Sequence, residues 1–187
     1  MQKNTLPDWE QVLSSAARLQ DIIPEAVLVG GTARIQRPVQ ILGSLDGIET
    51  GIRQLIRDEP LETNVINYHG KLITIPTKAE ILRIKGVLIL KRNATRDYLD
   101  FVALADYLGD DQVTLALENF NRLYPQDNGE SPLQQLQIQL ANALPFDLDE
   151  VKPELSEYKD LDPKWHDWEC VKNNCANLAT IIFDMDL

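Results

Sequence analysis

Two short stretches of the chain carry residue types whose spacing suits phosphate chemistry. The first is VLVGGTA, residues 27–33, an apolar run that ends in two glycines. Glycines after a buried strand let a phosphate approach the backbone closely, and a following helix start would offer free N–H groups. The same dipeptide also serves as a plain tight turn. The second is RIKGVLILKRNATRDYLDFVAL, residues 83–104, which gathers Arg83, Lys85, Lys91, Arg92 and Arg96 in a chain of net charge -11. Asp97 and Asp100 stand three apart there, a spacing that turns both toward one helix face. Cations beside a carboxylate pair suit a triphosphate with a divalent ion; they suit equally a solvated helical hairpin with surface ion pairs.

The elements that must position these residues follow from periodicity. Residues 8–20 read as a helix capped by Asp8 and Gln11, with Trp9, Val12, Leu13 and Ala16 on one face. Residues 26–29 read as a short buried strand running into Gly30 and Gly31, and 39–42 as a second. Over 44–57, Ile48, Ile52, Leu55 and Ile56 fall at helical spacing despite Gly47 and Gly51. Residues 61–75 form a hairpin around Tyr68-His69-Gly70.

Beyond Pro76 the pattern turns helical, opening with Thr77 and Glu80 as a capping-box pair ahead of Ile81, Leu82 and Leu88. A helix over 95–108 stops at Gly109. Another starts with Asp110 as cap and turns Val113, Ala116, Phe120 and Leu123 inward. Ser131-Pro132 opens a fourth. Residues 145–163 read as an acidic extended strap, and the last helix stripes Trp165, Trp168, Val171, Leu178, Ile182 and Met185.

Composition narrows the function classes. The net charge of -11 argues against broad nucleic-acid binding, since the overall field repels phosphates, though a local basic site is compatible with it. No run reaches the roughly 18 apolar residues a membrane span needs, and MQKNTLPDWEQ holds no apolar signal core, so a cytoplasmic protein without membrane contact is expected. Cys170 and Cys175 make neither a disulfide framework nor a zinc pattern, and Cys175 is expected in the core. His69, in a turn, and His166, beside tryptophans, lack partners at ligand spacing and are expected to be structural.

The strand-GGTA element, the lysine followed by RDYLD, and the distance between them resemble the AbiEii/AbiGii-type toxin nucleotidyltransferases of the DNA polymerase β-like superfamily. The similarity continues through ILGSLDGIETGIRQLIR (41–57), PTKAEILRIKG (76–86) and YKDLDPKWHDW (158–168). It implies an α+β fold: a small, incomplete mixed sheet of nucleotidyltransferase type over residues 1–76, then a helical region over 77–187, packed against it or as one compact domain. It implies that Gly30, Gly31 and Thr32 hold the triphosphate and that Lys85 and Asp97 act in catalysis, with Asp100 completing the D-x-x-D as a metal ligand; Arg96 joins the nucleotide-binding set from the cationic segment, and Asp46 is the candidate third carboxylate for catalysis and metal, a position that suits a helix cap or turn equally. Magnesium and a nucleoside triphosphate would be the cofactors of an active enzyme. An antitoxin protein, transfer RNA or another RNA acceptor, and a second copy of the chain are the implied partners.

The chain departs from that pattern after Ala33. Where the family has a helix and an acidic strand with two metal-binding aspartates, Arg34-Ile35-Gln36-Arg37-Pro38 follow directly, and no D-x-D pair precedes Asp46. Two-metal phosphoryl transfer needs several carboxylates. The expectation is therefore a degenerate member with weak or no nucleotidyl transfer, the alternative being an active magnesium-dependent enzyme. Loss of a helix and a strand would bare apolar sheet surface, for a homodimer or a rearranged strand to cover.

Overall fold

The computed structural model describes residues 8–28, 40–45, 47–53, 57, 59–158 and 161–185. The chain divides into two compact units, Met1–Thr77 and Lys78–Leu187. The first holds helix α1 (Trp9–Ile22) and strands β1 (Gln40–Leu45), β2 (Ile48–Arg53), β3 (Thr63–Tyr68) and β4 (Lys71–Pro76). The second is helical, so the class is α+β with the helices in the C-terminal half. The described strands form two antiparallel pairs, β1 with β2 and β3 with β4, in place of one mixed sheet.

Helix α1 begins as its sequence requires. Asp8 Oδ1 accepts from the Gln11 N–H at 2.7 Å, and Gln11 Oε1 accepts from the Asp8 N–H at 3.2 Å. Leu13, Ala16 and Ala17 are buried with Ile73 of β4, against Leu28, Ile66, Tyr68 and Ile75. Trp9, expected on the inner face, is instead 69% exposed.

The β3–β4 turn falls at His69 and Gly70, with φ of 48° and 81°. Both residues adopt the left-handed conformation that a two-residue hairpin turn demands. The far edge of β4 is closed by a side chain. Gln20 Oε1 accepts from the Thr74 N–H at 2.8 Å, while Gln20 Nε2 donates to the carbonyls of Thr74 at 2.9 Å and Ala26 at 2.8 Å. This is why residues 26–28, expected to be a strand, form no ladder: the amide already occupies Thr74, and Leu28 adds only one N–H bond to its carbonyl at 3.1 Å. Residue 29 lies outside the described residues.

The helix expected over 44–57 is a second correction. β1 and β2 pair with Leu45 opposite Ile48, so two residues turn the chain, and Gly47 has φ of 80°. Asp-Gly is among the strongest short hairpin signals, and Ile48, Thr50 and Ile52 repeat every second residue as a strand requires. A helix would have carried two interior glycines at about 1 kcal/mol each.

The second unit comprises α2 (Lys78–Arg92), α3 (Thr95–Leu108), α4 (Asp110–Leu117), α5 (Phe120–Leu123), α6 (Pro132–Ala141), α7 (Leu148–Val151) and α8 (Trp168–Met185), with 3-10 turns at Lys152–Glu157 and Pro163–His166. Gly109, φ 77°, ends α3 and takes the cap position of α4 that was expected for Asp110. The expected strap over 145–163 is folded into α7 and the 3-10 turns. Pro153 and Pro163 sit near the start of these turns, and Asp162 caps the second by accepting from the Lys164 N–H at 3.0 Å. Ser131 caps α6 through the Gln134 N–H at 3.1 Å.

Leu82, Phe101, Phe120, Leu136, Trp168 and Ile182 are among the residues that fill the core of this unit. Tyr98 meets Trp168 edge to face at 6.2 Å. Cys175 is buried there as expected; Trp165 is buried too, but from the 3-10 turn at Pro163–His166 and not from the last helix, which begins at Trp168. His166 leaves Nε2 buried without a hydrogen-bond partner among the described residues. Gly86 permits a close helix approach, since a Cβ at that position would stand 3.0 Å from Leu136 Cδ2. Among the described residues no helix is long and apolar enough to cross a membrane.

Burial pushes the Cys175 thiol up to about 12 from an ordinary 9.0. The unfolded chain therefore loses this proton first as pH rises. The stability that the neutral thiol contributes is complete below pH 9 and declines toward pH 12. In the Cys170→Ser variant, Ellman's reagent at neutral pH should label Cys175 only as fast as the unit opens, and denaturation midpoints should fall between pH 9 and 12. Immediate labelling of the native variant would contradict the burial.

Candidate functional site

The charged segment singled out in the sequence folds into α2, the α2–α3 junction and the first turns of α3. The junction is set by Asn93, whose φ of 50° places it in the left-handed region at the position just past the end of α2. Its N–H donates to the Ile89 carbonyl at 2.9 Å, which closes the helix. Its side chain then ties the core: Oδ1 accepts from the Tyr98 hydroxyl at 2.5 Å and from Gln139 Nε2 at 2.9 Å. Helix α3 starts from Ala94, which has no side chain to cap it. Asp147 supplies the cap from a distance, its Oδ1 accepting from both the N–H and the hydroxyl of Thr95 at 2.7 Å.

The carboxylates of this segment are matched one by one with cations. Asp97 is fully buried, and its two oxygens accept from Arg92, Oδ2 from Nε at 2.9 Å and Oδ1 from Nη2. Asp100 Oδ2 accepts from Lys85 Nζ at 2.6 Å and has Arg96 Nε at 3.7 Å. Arg96 is 60% exposed and lies over the Tyr158 ring, with Cζ 5.0 Å from its centroid. Deeper in the unit, Glu80 accepts from Arg83 Nη1 at 3.1 Å and from the Tyr124 hydroxyl at 2.7 Å. Arg83 Nε donates to the Ala116 carbonyl at 2.6 Å, so this pair staples α2 to α4.

Of the expected site residues, Lys85, Asp100 and Arg96 share one partly exposed cluster, while Asp97 faces the interior with Arg92. Gly30, Gly31, Thr32 and Asp46 lie outside the described residues. Among the described residues no three His, Cys, Asp or Glu side chains gather as metal ligands do. Among the described residues, each α3 carboxylate stands against a guanidinium or an ammonium: Asp97 against Arg92, Asp100 against Lys85, and Asp106 against Lys164. Two residues that organise the junction escaped the sequence. Asn93 follows α2 at the spacing of a left-handed cap, a signal that was there to use. Asp147 lies 52 residues from the helix it caps, and no local pattern marks it.

No protein-family model and no solved structure matches the chain. Curated proteins do. The chain is 34% identical over 137 residues to the "Mycolic acid-containing lipids exporter MmpL11" of Mycolicibacterium smegmatis, covering 68% of this chain and 13% of that protein. It is 29% identical over 228 aligned residues to the "Heme uptake protein MmpL11" of Mycobacterium tuberculosis, covering 95% of this chain and 23% of that one. The chain thus spans less than a quarter of the length of these relatives. Their names describe transport, which corrects the expected description as a nucleotide-binding transferase of a toxin–antitoxin pair.

The two ion pairs differ in environment and should respond differently to mutation. Removing Arg92 strands the Asp97 carboxylate in the core, so Arg92→Ala should lower unfolding free energy by about 3–5 kcal/mol. Lys85→Ala leaves Asp100 with Arg96 and solvent, and should cost about 1 kcal/mol. Urea denaturation of both variants measures the contrast; equal losses would contradict it.

Proposed function

We propose that the helical unit is a non-catalytic binding module, without nucleotidyl transfer, working in the cytoplasm. The observation that carries this is the closed pairing of Asp97 with Arg92 and of Asp100 with Lys85. An aspartate that accepts a proton or grips a metal must be free to do so. Asp97, itself fully buried, would have to give up the Arg92 guanidinium, at a cost of about 3–5 kcal/mol, before any chemistry began. Lys85, which would have to neutralise a phosphate, is already held by Asp100. Two free thiols, Cys170 and Cys175, suit a reducing compartment. Titration calorimetry with each nucleoside triphosphate in magnesium should give no saturable heat, and labelled triphosphate should not pass to bulk transfer RNA. Label transfer that disappears in Lys85→Ala would overturn this reading.

The alignment over 95% of the chain favours a second reading, in which the module serves transport of apolar cargo. The relatives are named for a mycolic acid-containing lipid and for haem. Under this reading hemin added to the whole chain should shift and sharpen its Soret band at a one-to-one ratio. A spectrum identical to free hemin would remove haem from consideration.

A further inference from the structure

The loop between α6 and α7 alternates inward and outward. Ala143 and Pro145 are buried, while Leu144 and Phe146 are 58% and 75% exposed. Single exposed apolar residues are ordinary. A pair on the same side of a backbone that is fastened at three points is a different matter. Asn93 Nδ2 donates to the Leu144 carbonyl at 2.9 Å, and the Phe146 N–H donates to the Asn93 carbonyl at 3.0 Å. The next residue is Asp147, held by Thr95 at 2.7 Å. The loop therefore cannot fold these side chains away, and Asn93 adopts an uncommon left-handed conformation while holding it.

The surroundings state what would suit this face. Asp149, Glu150, Glu154 and Glu157 are exposed over residues 148–158, where Lys152 is the one cation among the described residues. We propose that Leu144 and Phe146 form the apolar anchor of a docking surface for a cationic amphipathic segment of a partner protein, with the acidic residues of α7 and the adjoining 3-10 turn pairing its lysines or arginines. An anionic lipid surface would be repelled by the same carboxylates and by the chain's net charge of -11. Because the loop is already ordered, an incoming segment gains the contact without the entropy cost of fixing it.

The proposal rests on the helical unit being a binding module, and its test leaves nucleotide chemistry aside. The probe is a fluorescein-labelled leucine/lysine amphipathic peptide, followed by anisotropy with the full chain. Saturable one-to-one binding is expected, weakened about tenfold or more in Leu144→Ser/Phe146→Ser, which keeps the net charge. Asp149→Asn/Glu150→Gln should weaken it several-fold and make it less sensitive to salt. Phe183→Ser, at another exposed apolar position, should leave it unchanged. All these side chains are exposed, so unfolding midpoints should match the wild type. Equal affinity of the serine pair would show attraction by bulk charge alone and overturn the proposal. So would absence of peptide binding, or flotation of the wild type but not the serine pair with phosphatidylcholine vesicles. None of these outcomes touches the calorimetric blank with triphosphates, whereas a saturable triphosphate heat would remove the reading beneath the proposal without changing the peptide result.

Discussion

A carboxylate in the interior of a small protein needs a counter-charge, and the helical unit depends on how Asp97 obtains one. The residue is fully buried in the first turn of α3, and Arg92 reaches it from the last turn of α2 with two hydrogen bonds. That geometry dictates the junction between the helices. The chain must reverse within two residues, which Asn93 makes possible by entering the left-handed region. Once there, its amide gathers Tyr98, Gln139 and Leu144, so α2, α3, α6 and the loop after α6 meet at one side chain. The same pairing uses the charges of this segment within the fold. Charges that satisfy each other inside a protein are not available to a ligand, and separating them costs more than a surface contact returns.

The N-terminal unit solves a different problem with equal economy of means. A two-stranded sheet has exposed edges, and an edge invites pairing with any passing strand. Gln20 closes the edge of β4 by presenting a side-chain amide that has the donor and acceptor of a peptide group. Leu13, Ala16 and Ala17 bring α1 down on Ile73 behind it. Helix and hairpin are thus joined by a small apolar cluster, by one amide that mimics backbone, and by contacts of Tyr68 with the Glu10 carbonyl and of Lys71 with Asp21.

Much of the helical half was legible because its signals are local. Thr95 to Leu108 repeats at helical spacing and ends at Gly109; Ser131-Pro132 marks a start; Val113, Ala116 and Phe120 are buried as expected, though the helix expected to carry all three is split into α4 and α5. The hairpin at His69-Gly70 was legible from turn chemistry. The failures share a cause. Asp46-Gly47 is a turn signal, but Ile48, Ile52, Leu55 and Ile56 also fit the spacing of a helix, so the segment carries two competing periods. Residues 26–28 have strand composition, and what denies them a ladder is Gln20, a tertiary contact. In the candidate site, the gathering of cations with Asp97 and Asp100 could be read from spacing. Their pairing could not, because the full burial of Asp97 is a tertiary property of the folded unit, and the cap that Asp147 gives Thr95 comes from 52 residues away.

The central claim is that Arg92 and Asp97 act as one closed unit inside the fold. A double-mutant cycle with Arg92→Ala and Asp97→Asn measures it by denaturant unfolding. The account predicts a coupling energy of about 2 kcal/mol or more, with the double variant more stable than Arg92→Ala alone. Additivity to within about 0.5 kcal/mol would contradict it, since it would mean that the carboxylate and the guanidinium stand independent and free for other work.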